Sequence, residues 1–234
     1  MKALFIIGTD TGVGKSVVTG LLGRLLQEKG HRVITQKWAQ TGSGSFSCDM
    51  KLHLKLMKRT RRDIQKYLPF ISPYNFTFPS SPHLAASVEN KKIDARRIKK
   101  SFKILSDNFD FVIVEGTGGA LVPLSKTELI IDIAKELAIP VLIVAGNKTG
   151  AINHTLLTIE AVKRRGMKIA GLVFNNCYKG VNKMVLKDNP EIIRSLSGVP
   201  VLGTLPRVKD PVLLYKAFPL IGEKIFACLK GGSK

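Results

Sequence analysis

Residues 8–16 read Gly-Thr-Asp-Thr-Gly-Val-Gly-Lys-Ser, between the apolar run Leu4-Phe5-Ile6-Ile7 and a helical pattern spanning about 17–29. Strand, glycine-rich loop, helix is the order in which a loop becomes a cradle for phosphate. Its backbone N–H groups converge, and the free N–H groups of the helix start add partial positive charge. Gly12 and Gly14, either side of Val13, let the backbone close around oxygens where a Cβ would intrude. Lys15 can reach the β- and γ-phosphates as a point charge, and Ser16 can place a hydroxyl on Mg²⁺. The loop from Gly12 to Val17 is therefore expected to hold a nucleoside triphosphate. Gly8 and Gly14 lie one residue further apart than in the common form of the loop.

Beyond the loop, short apolar runs alternate with longer amphipathic segments. Strands are expected at 4–7, 33–36, 111–114, 141–144, 169–174 and 201–205. Helices are expected at 15–29, 49–58, 83–90, 94–107, 130–137, 154–165 and 191–196, with another helical pattern over 212–229. The strands are nearly continuous in apolar residues, which indicates burial on both faces. That describes an α/β fold with a mostly parallel sheet covered by helices on both sides. The proline- and aromatic-rich segment 69–82 reads as one long loop.

In such a sheet, ligands sit outside the carboxyl ends of the strands. Every strand end here carries polar or glycine residues. Glu115 ends the run Phe111-Val112-Ile113-Val114, and a carboxylate bordering a buried sheet is explained by pairing with Mg²⁺. Asp49 reads equally as a second carboxylate or as the N-cap of a helix beginning near Met50. Lys37 reads equally as a cation for a transferring phosphoryl group or as a solvated strand-end lysine. Asn175 and Asn176 follow the fifth strand; Pro206, Arg207 and Val208 follow the sixth. His83 and His154 show no metal-ligand spacing and read as structural.

At 234 residues the length suits one domain, 1–234, large enough for a core without disulfides. Cys48, Cys177 and Cys228 are an odd set without a Cys-x-x-Cys pair, which suits free thiols in a reducing cytoplasm. The apolar start is too short for a secretory signal, and no run approaches the ~20 residues of a membrane span. The formal charge of +20 is partly local: 51–66 and 91–103 each carry seven basic residues against one acid. Neither stretch interleaves base-stacking aromatics, so the expectation is a solvated basic surface that binds no nucleic acid.

Taken in order, the motifs resemble the dethiobiotin synthetase family. The resemblance rests on the loop with its longer spacing, Lys37 followed by Thr41-Gly42, Asp49, and Ser81-Pro82-His83. It continues through Val114-Glu-Gly-Thr-Gly-Gly119 with Pro123-Leu124, Pro140-Val141, Gly150-Ala-Ile-Asn-His154, Gly171 with Asn175, and Leu202-Gly203 with Pro206. It implies a P-loop NTPase fold and an ATP- and Mg²⁺-dependent cyclo-ligase of biotin biosynthesis acting on 7,8-diaminononanoate and CO₂. By the same resemblance Lys15 and Lys37 are catalytic, and Ser16, Asp49 and Glu115 hold Mg²⁺. Gly116, Thr117 and Gly118 belong to the nucleotide site, while Asn175, Asn176, Pro206, Arg207 and Val208 meet the adenine. Thr41 and Gly118 position the diamine. The family is homodimeric, and Gly150 and Asn153 receive the substrate carboxylate from the other subunit; Asn153 reads otherwise as a cap of its own helix.

Two departures stand out. Trp38 occupies the place where the family usually has proline, and replacement of Trp38 by proline is expected to be tolerated if the loop follows the family's backbone path. The tail after Asp210 matches no family pattern. The alternative is a dimerising ATPase switch of the septum-positioning or plasmid-partitioning type. Such switches carry a second lysine early in the loop, where this chain has Gly8-Thr9-Asp10.

Overall fold

The computed structural model describes residues 2–208 and 210–230, so Met1 and the last residues of the expected 1–234 unit lie outside the described part. Among the described residues there are eight strands: β1 (Lys2–Gly8), β2 (Val33–Lys37), β3 (Ala39–Gln40), β4 (Tyr74–Asn75), β5 (Phe111–Gly119), β6 (Val141–Gly146), β7 (Ile169–Asn175) and β8 (Val201–Leu205). Six of them form one parallel sheet in the order β2-β5-β1-β6-β7-β8. These are the six strands expected from the apolar runs.

The ten α-helices are α1 (Lys15–Glu28), α2 (Cys48–Leu56), α3 (Leu68–Ile71), α4 (Pro82–Val88), α5 (Ala95–Asn108), α6 (Ile130–Glu136), α7 (Ala151–Lys163), α8 (Lys183–Ser197), α9 (Pro211–Lys216) and α10 (Pro219–Lys230), counted among the described residues. Side chains alternate across a strand, and both faces of β1 are covered. Leu4 and Ile6 pack with Leu21, Leu22 and Leu25 of α1 and Ile221 and Ile225 of α10. Phe5 and Ile7 join the opposite core, built on Ile98 and Phe102 of α5, Ile131 of α6 and Ile159 of α7. Burial on both sides is why β1 is apolar at each position from Leu4 to Ile7 rather than at every second one. All six strands run the same way, so their carboxyl ends, with the glycine loop among them, share one rim.

Three expectations are corrected. Segment 69–82 is not one loop: β4 lies within it, pairing in parallel with β3, and Phe76 beside it is buried. Strands two residues long carry no periodicity to read.

The helix expected at 191–196 begins at Lys183 and runs through Pro190. Proline there removes the N–H that would bond the carbonyl four residues earlier. That carbonyl, of Leu186, accepts instead from Asn147 Nδ2 at 2.9 Å, so the helix continues without an orphaned group.

The tail pattern divides at Phe218 into α9 and α10, because the residue before Pro219 is pushed out of helical geometry.

Helices α1 and α2 approach unusually closely. A Cβ on Gly20 would lie 2.8 Å from Leu56 Cβ and 3.3 Å from His53 Cα, and one on Gly23 would lie 2.8 Å from Met57 Sδ. The two hydrogens in place of side chains bring α2 against α1 and hence toward the rim.

Candidate active site

The glycine loop ends at Gly14, the N-cap of α1, with φ of 102°. A Cβ there would meet Asn175 Nδ2 at 2.1 Å, and that same amide donates to Val13 O at 2.9 Å. The end of β7 is thus bolted to the loop. Lys15 is 5% exposed, and its Nζ donates to Asp10 O at 3.0 Å inside the curl of the loop. Burial, followed by repulsion from Lys37, pushes its pKa down to about 8.

Strands β2 and β5 are paired with Lys37 opposite Glu115, so a lysine and a glutamate leave the sheet side by side. Lys37 Nζ lies 2.9 Å from Glu115 Oε1 and 2.7 Å from Asp49 Oδ2, and donates to Gly116 O at 2.9 Å. It is 2% exposed, which removes the solvated strand-end reading. Burial opposes its charge, but the two carboxylates outweigh that and hold its pKa above the usual lysine value. For Glu115, burial favours the neutral acid, and Lys37 and His53 overcome it to hold the carboxyl well below its usual range. Ser16 Oγ also donates to Glu115 Oε1, at 3.0 Å.

Asp49 is not the N-cap of α2. Ser47 is, accepting from Met50 N at 3.2 Å, which leaves Asp49 in the first turn and free to face Lys37.

One residue of the cluster was not anticipated. His53 is fully buried, with Nε2 2.6 Å from Glu115 Oε2. Its signal in the sequence is the spacing of four from Asp49, which puts both on one face of α2.

Ser16, Asp49 and Glu115 offer hydroxyl and carboxylate oxygens around a point where one cation, the ammonium of Lys37, already sits. Such hard oxygen donors fit Mg²⁺, which is held by one or two carboxylates plus phosphate rather than by a full protein cage. No cluster of three or more His, Cys, Asp or Glu with metal-holding geometry occurs among the described residues.

These groups line a cleft of about 730 Å³ together with Gly12, Gly14, Val17, Thr41, Thr117 and Gly118. Its far wall is Pro79, Ser80, Ser81 and Pro82, from the end of segment 69–82. Thr117 Oγ1 donates to Ala39 O, which ties β5 to β3. His83 is held by Ser81, Oγ to Nδ1 at 2.9 Å.

Several expected site residues stand outside the cleft lining. Val13 and Gly116 contribute carbonyls to its scaffold through Asn175 and Lys37. Asn176 follows β7 beside Asn175, its Oδ1 accepting from Asn147 Nδ2 at 3.0 Å and its N–H bonded to Leu205 O. Pro206, Arg207 and Val208 continue from β8 at that end of the rim. Gly150 is the left-handed N-cap of α7, no side chain caps that helix, and Asn153 is exposed. The reading of Asn153 as a cap of its own helix is therefore set aside.

A protein-family model described as an AAA domain matches residues 2–212. An ATP-dependent dethiobiotin synthetase of Chlorobaculum tepidum is 40% identical over 195 residues, covering 83% of this chain and 81% of that protein. One of Thermodesulfovibrio yellowstonii is 36% identical over 218 residues, 90% of this chain and 91% of its own. The chain belongs to the dethiobiotin synthetase family.

The fold is shared more widely than that family. The MinC:MinD cell division protein complex of Aquifex aeolicus matches at a TM-score of 0.63 with 16% identity, covering 100% of this chain and 97% of that one. A ParA family ATPase from Chlorobium tepidum matches at 0.58 and 16%, covering 97% of each chain. At such identities the likeness is one of architecture. The relation to dethiobiotin synthetases, by contrast, is carried by the sequence itself. No helix among the described residues is long and apolar enough to cross a membrane.

Proposed function

We propose that this chain, as one ligase unit, closes the ureido ring of dethiobiotin from 7,8-diaminononanoate, CO₂ and ATP, the reaction its family is named for. The observation that carries the reading is Lys37, one buried ammonium held between Asp49 and Glu115 at the mouth of the phosphate loop. A cation stored between two carboxylates beside a phosphate cradle suits a reaction whose charge builds on a transferring phosphoryl group.

The chemistry runs in three stages. One amine adds to CO₂ and loses a proton, giving a carbamate. A carbamate oxygen then attacks the γ-phosphorus and ADP departs. The second amine attacks the carbamoyl carbon of the mixed anhydride, phosphate leaves with the bonding pair, and the last proton passes to solvent. Lys15 and Lys37 neutralise the phosphoryl oxygens, and Lys37 also holds the carbamate. Ser16, Asp49 and Glu115 would hold Mg²⁺, which when bound screens the triphosphate charge. Asn175 and Asn176, with Pro206, Arg207 and Val208, receive the adenine, and Thr41 and Gly118 place the diamine.

The substrate's carboxylate lies a long aliphatic chain away from its amines and needs its own anion receptor. Gly150 and Asn153, at the start of α7, suit that role and do not line the cleft of their own chain. A homodimer in which each α7 serves the other copy's cleft reconciles these two facts. Free thiols and the use of ATP are consistent with a cytoplasmic setting.

The decisive test is release of phosphate from ATP. The reading requires dependence on diaminononanoate and bicarbonate together. Turnover indifferent to both would overturn it.

A further inference from the structure

Glu115 has three side-chain partners, divided unequally between its oxygens. Lys37 and Ser16 are both on Oε1, at 2.9 and 3.0 Å, and His53 alone is on Oε2, at 2.6 Å. The two Oε1 partners have work elsewhere in the cycle. Lys37 is the cation for the phosphoryl group and the carbamate, and the Ser16 hydroxyl belongs to the metal. Each leaves Glu115 to do that work.

His53 has no second task. It lies behind the cleft and does not line it. Its backbone is fixed by the α1–α2 approach, with the Gly20 Cβ position 3.3 Å from its Cα. Its Nδ1 is buried without a hydrogen-bond partner among the described residues. With Glu115 as its one ring partner, the tautomer that satisfies the ring is Nε2–H, donating to Oε2. An apolar side chain would fill the same space with no unsatisfied atom, so the ring's presence is explained by that single hydrogen bond.

We propose that His53 is a positioning residue for Glu115. It clamps Oε2 throughout the cycle, so that the carboxylate presents Oε1 in one orientation when Lys37 and Ser16 depart. Without it, no side chain among the described residues would hold Oε2, and Oε1 would be free to turn away from the cation when Lys37 moves to the phosphoryl group. Hydrogen-bonded partners of metal carboxylates orient them in this way and commonly change metal affinity about 10–100-fold when lost.

The inference rests on Glu115 as a metal carboxylate, so the experiment separates the two. Mn²⁺ replaces Mg²⁺, and its binding to the full chain with a non-hydrolysable ATP analogue is titrated by electron paramagnetic resonance, beside steady-state kinetics. For His53→Leu the expected result is a Kd for Mn²⁺ raised about tenfold or more and kcat reduced comparably, with KM for diaminononanoate within about twofold. His53→Gln, which carries an amide donor near the place of Nε2, should restore most of both. Unchanged Mn²⁺ affinity in His53→Leu, or a Gln variant as impaired as the Leu variant, overturns the inference while leaving Glu115 in place. Unchanged affinity in Glu115→Gln overturns the reading of Glu115 and the inference with it. Should the Leu variant not fold, Gln is compared with Asn, whose amide is one carbon short. The clamp requires Gln to bind Mn²⁺ markedly more tightly than Asn, and equal affinities overturn it.

Discussion

Lys37 and Glu115 form a buried pair that serves stability and chemistry at once, and a substitution at either is felt in both. Lys37→Met strands Glu115 with only His53 and Ser16, and removing one partner of a buried pair typically costs about 3–5 kcal/mol. The expected outcome is a fall in the urea midpoint together with loss of kcat, while nucleotide binding, measured by calorimetry, stays largely intact. Adding Glu115→Gln removes the stranded charge and should recover much of the stability and none of the turnover. Recovery of both would show that Lys37 acts only through the fold. Trp38 differs from its neighbour in kind. It is fully buried, stacks on Phe5 with centroids 5.0 Å apart, and donates from Nε1 to Gln36 Oε1 at 2.9 Å. The expectation that proline is tolerated there does not survive this packing. Trp38→Pro empties the largest fully buried side chain of the core and should lower stability by about 3–5 kcal/mol in urea titrations.

At the scale of elements, α4 and the segment before it make a prediction in acid. Glu89, the C-cap of α4, accepts from Thr77 N at 2.6 Å, Thr77 Oγ1 at 2.9 Å and Phe78 N at 3.3 Å, while Lys91 reaches its other oxygen. Lys91 first, then the Thr77 and Phe78 donors, lower its pKa from 4.5 to about 2. A folded pKa below the unfolded one adds stability that is complete above about 4.5 and is lost as pH falls through about 2. The midpoint gap between the parent and Glu89→Gln should therefore be constant near neutrality and close as pH drops through that window. A gap indifferent to pH would mean the clip acts by shape and not by charge. The same segment marks where the sequence stopped being legible. The six long strands could be read because burial on both faces writes short, nearly continuous apolar runs such as 4–7, 111–114 and 141–144. The phosphate loop could be read because its backbone needs glycine. The β3–β4 pair could not, since two residues have no period, and Pro190 concealed half of α8 because the amide that satisfies Leu186 O comes from Asn147, just past β6 and far away in the chain. His53 was hidden for a related reason: a lone histidine among lysines declares nothing until α2 is laid against β5.

For the molecule as a whole, the proposed sharing of sites between two copies has an arithmetic consequence. Chains carrying Lys37→Ala and chains carrying Asn153→Ala are each expected to be inactive. In a mixed dimer one cleft receives both lesions and the other receives neither. Random exchange should restore about a quarter of the parent activity, since half the dimers are mixed and each has one intact cleft. No recovery in dimers proven to be mixed would confine each site to a single chain. The basic residues of α5, including Arg96, Arg97, Lys100 and Lys103, lie on its exposed side and do not line the cleft.

Gly20 and Gly23 close the account in a different currency, that of what an engineer is permitted to change. Alanine in place of a mid-helix glycine is a routine way to toughen an enzyme, gaining about 1 kcal/mol of helix propensity each time. A methyl on Gly23 would meet only the flexible Met57 side chain, but one on Gly20 lands 2.8 Å from Leu56 Cβ and 3.3 Å from His53 Cα of α2. The overpacking costs about 1–3 kcal/mol and erases the gain. Relief comes by sliding α2 outward, carrying Asp49 and His53 away from Glu115. Gly20 is therefore barred to the usual route, and a heat-resistant version of this chain has to find its improvement elsewhere than at that point of the α1–α2 seam.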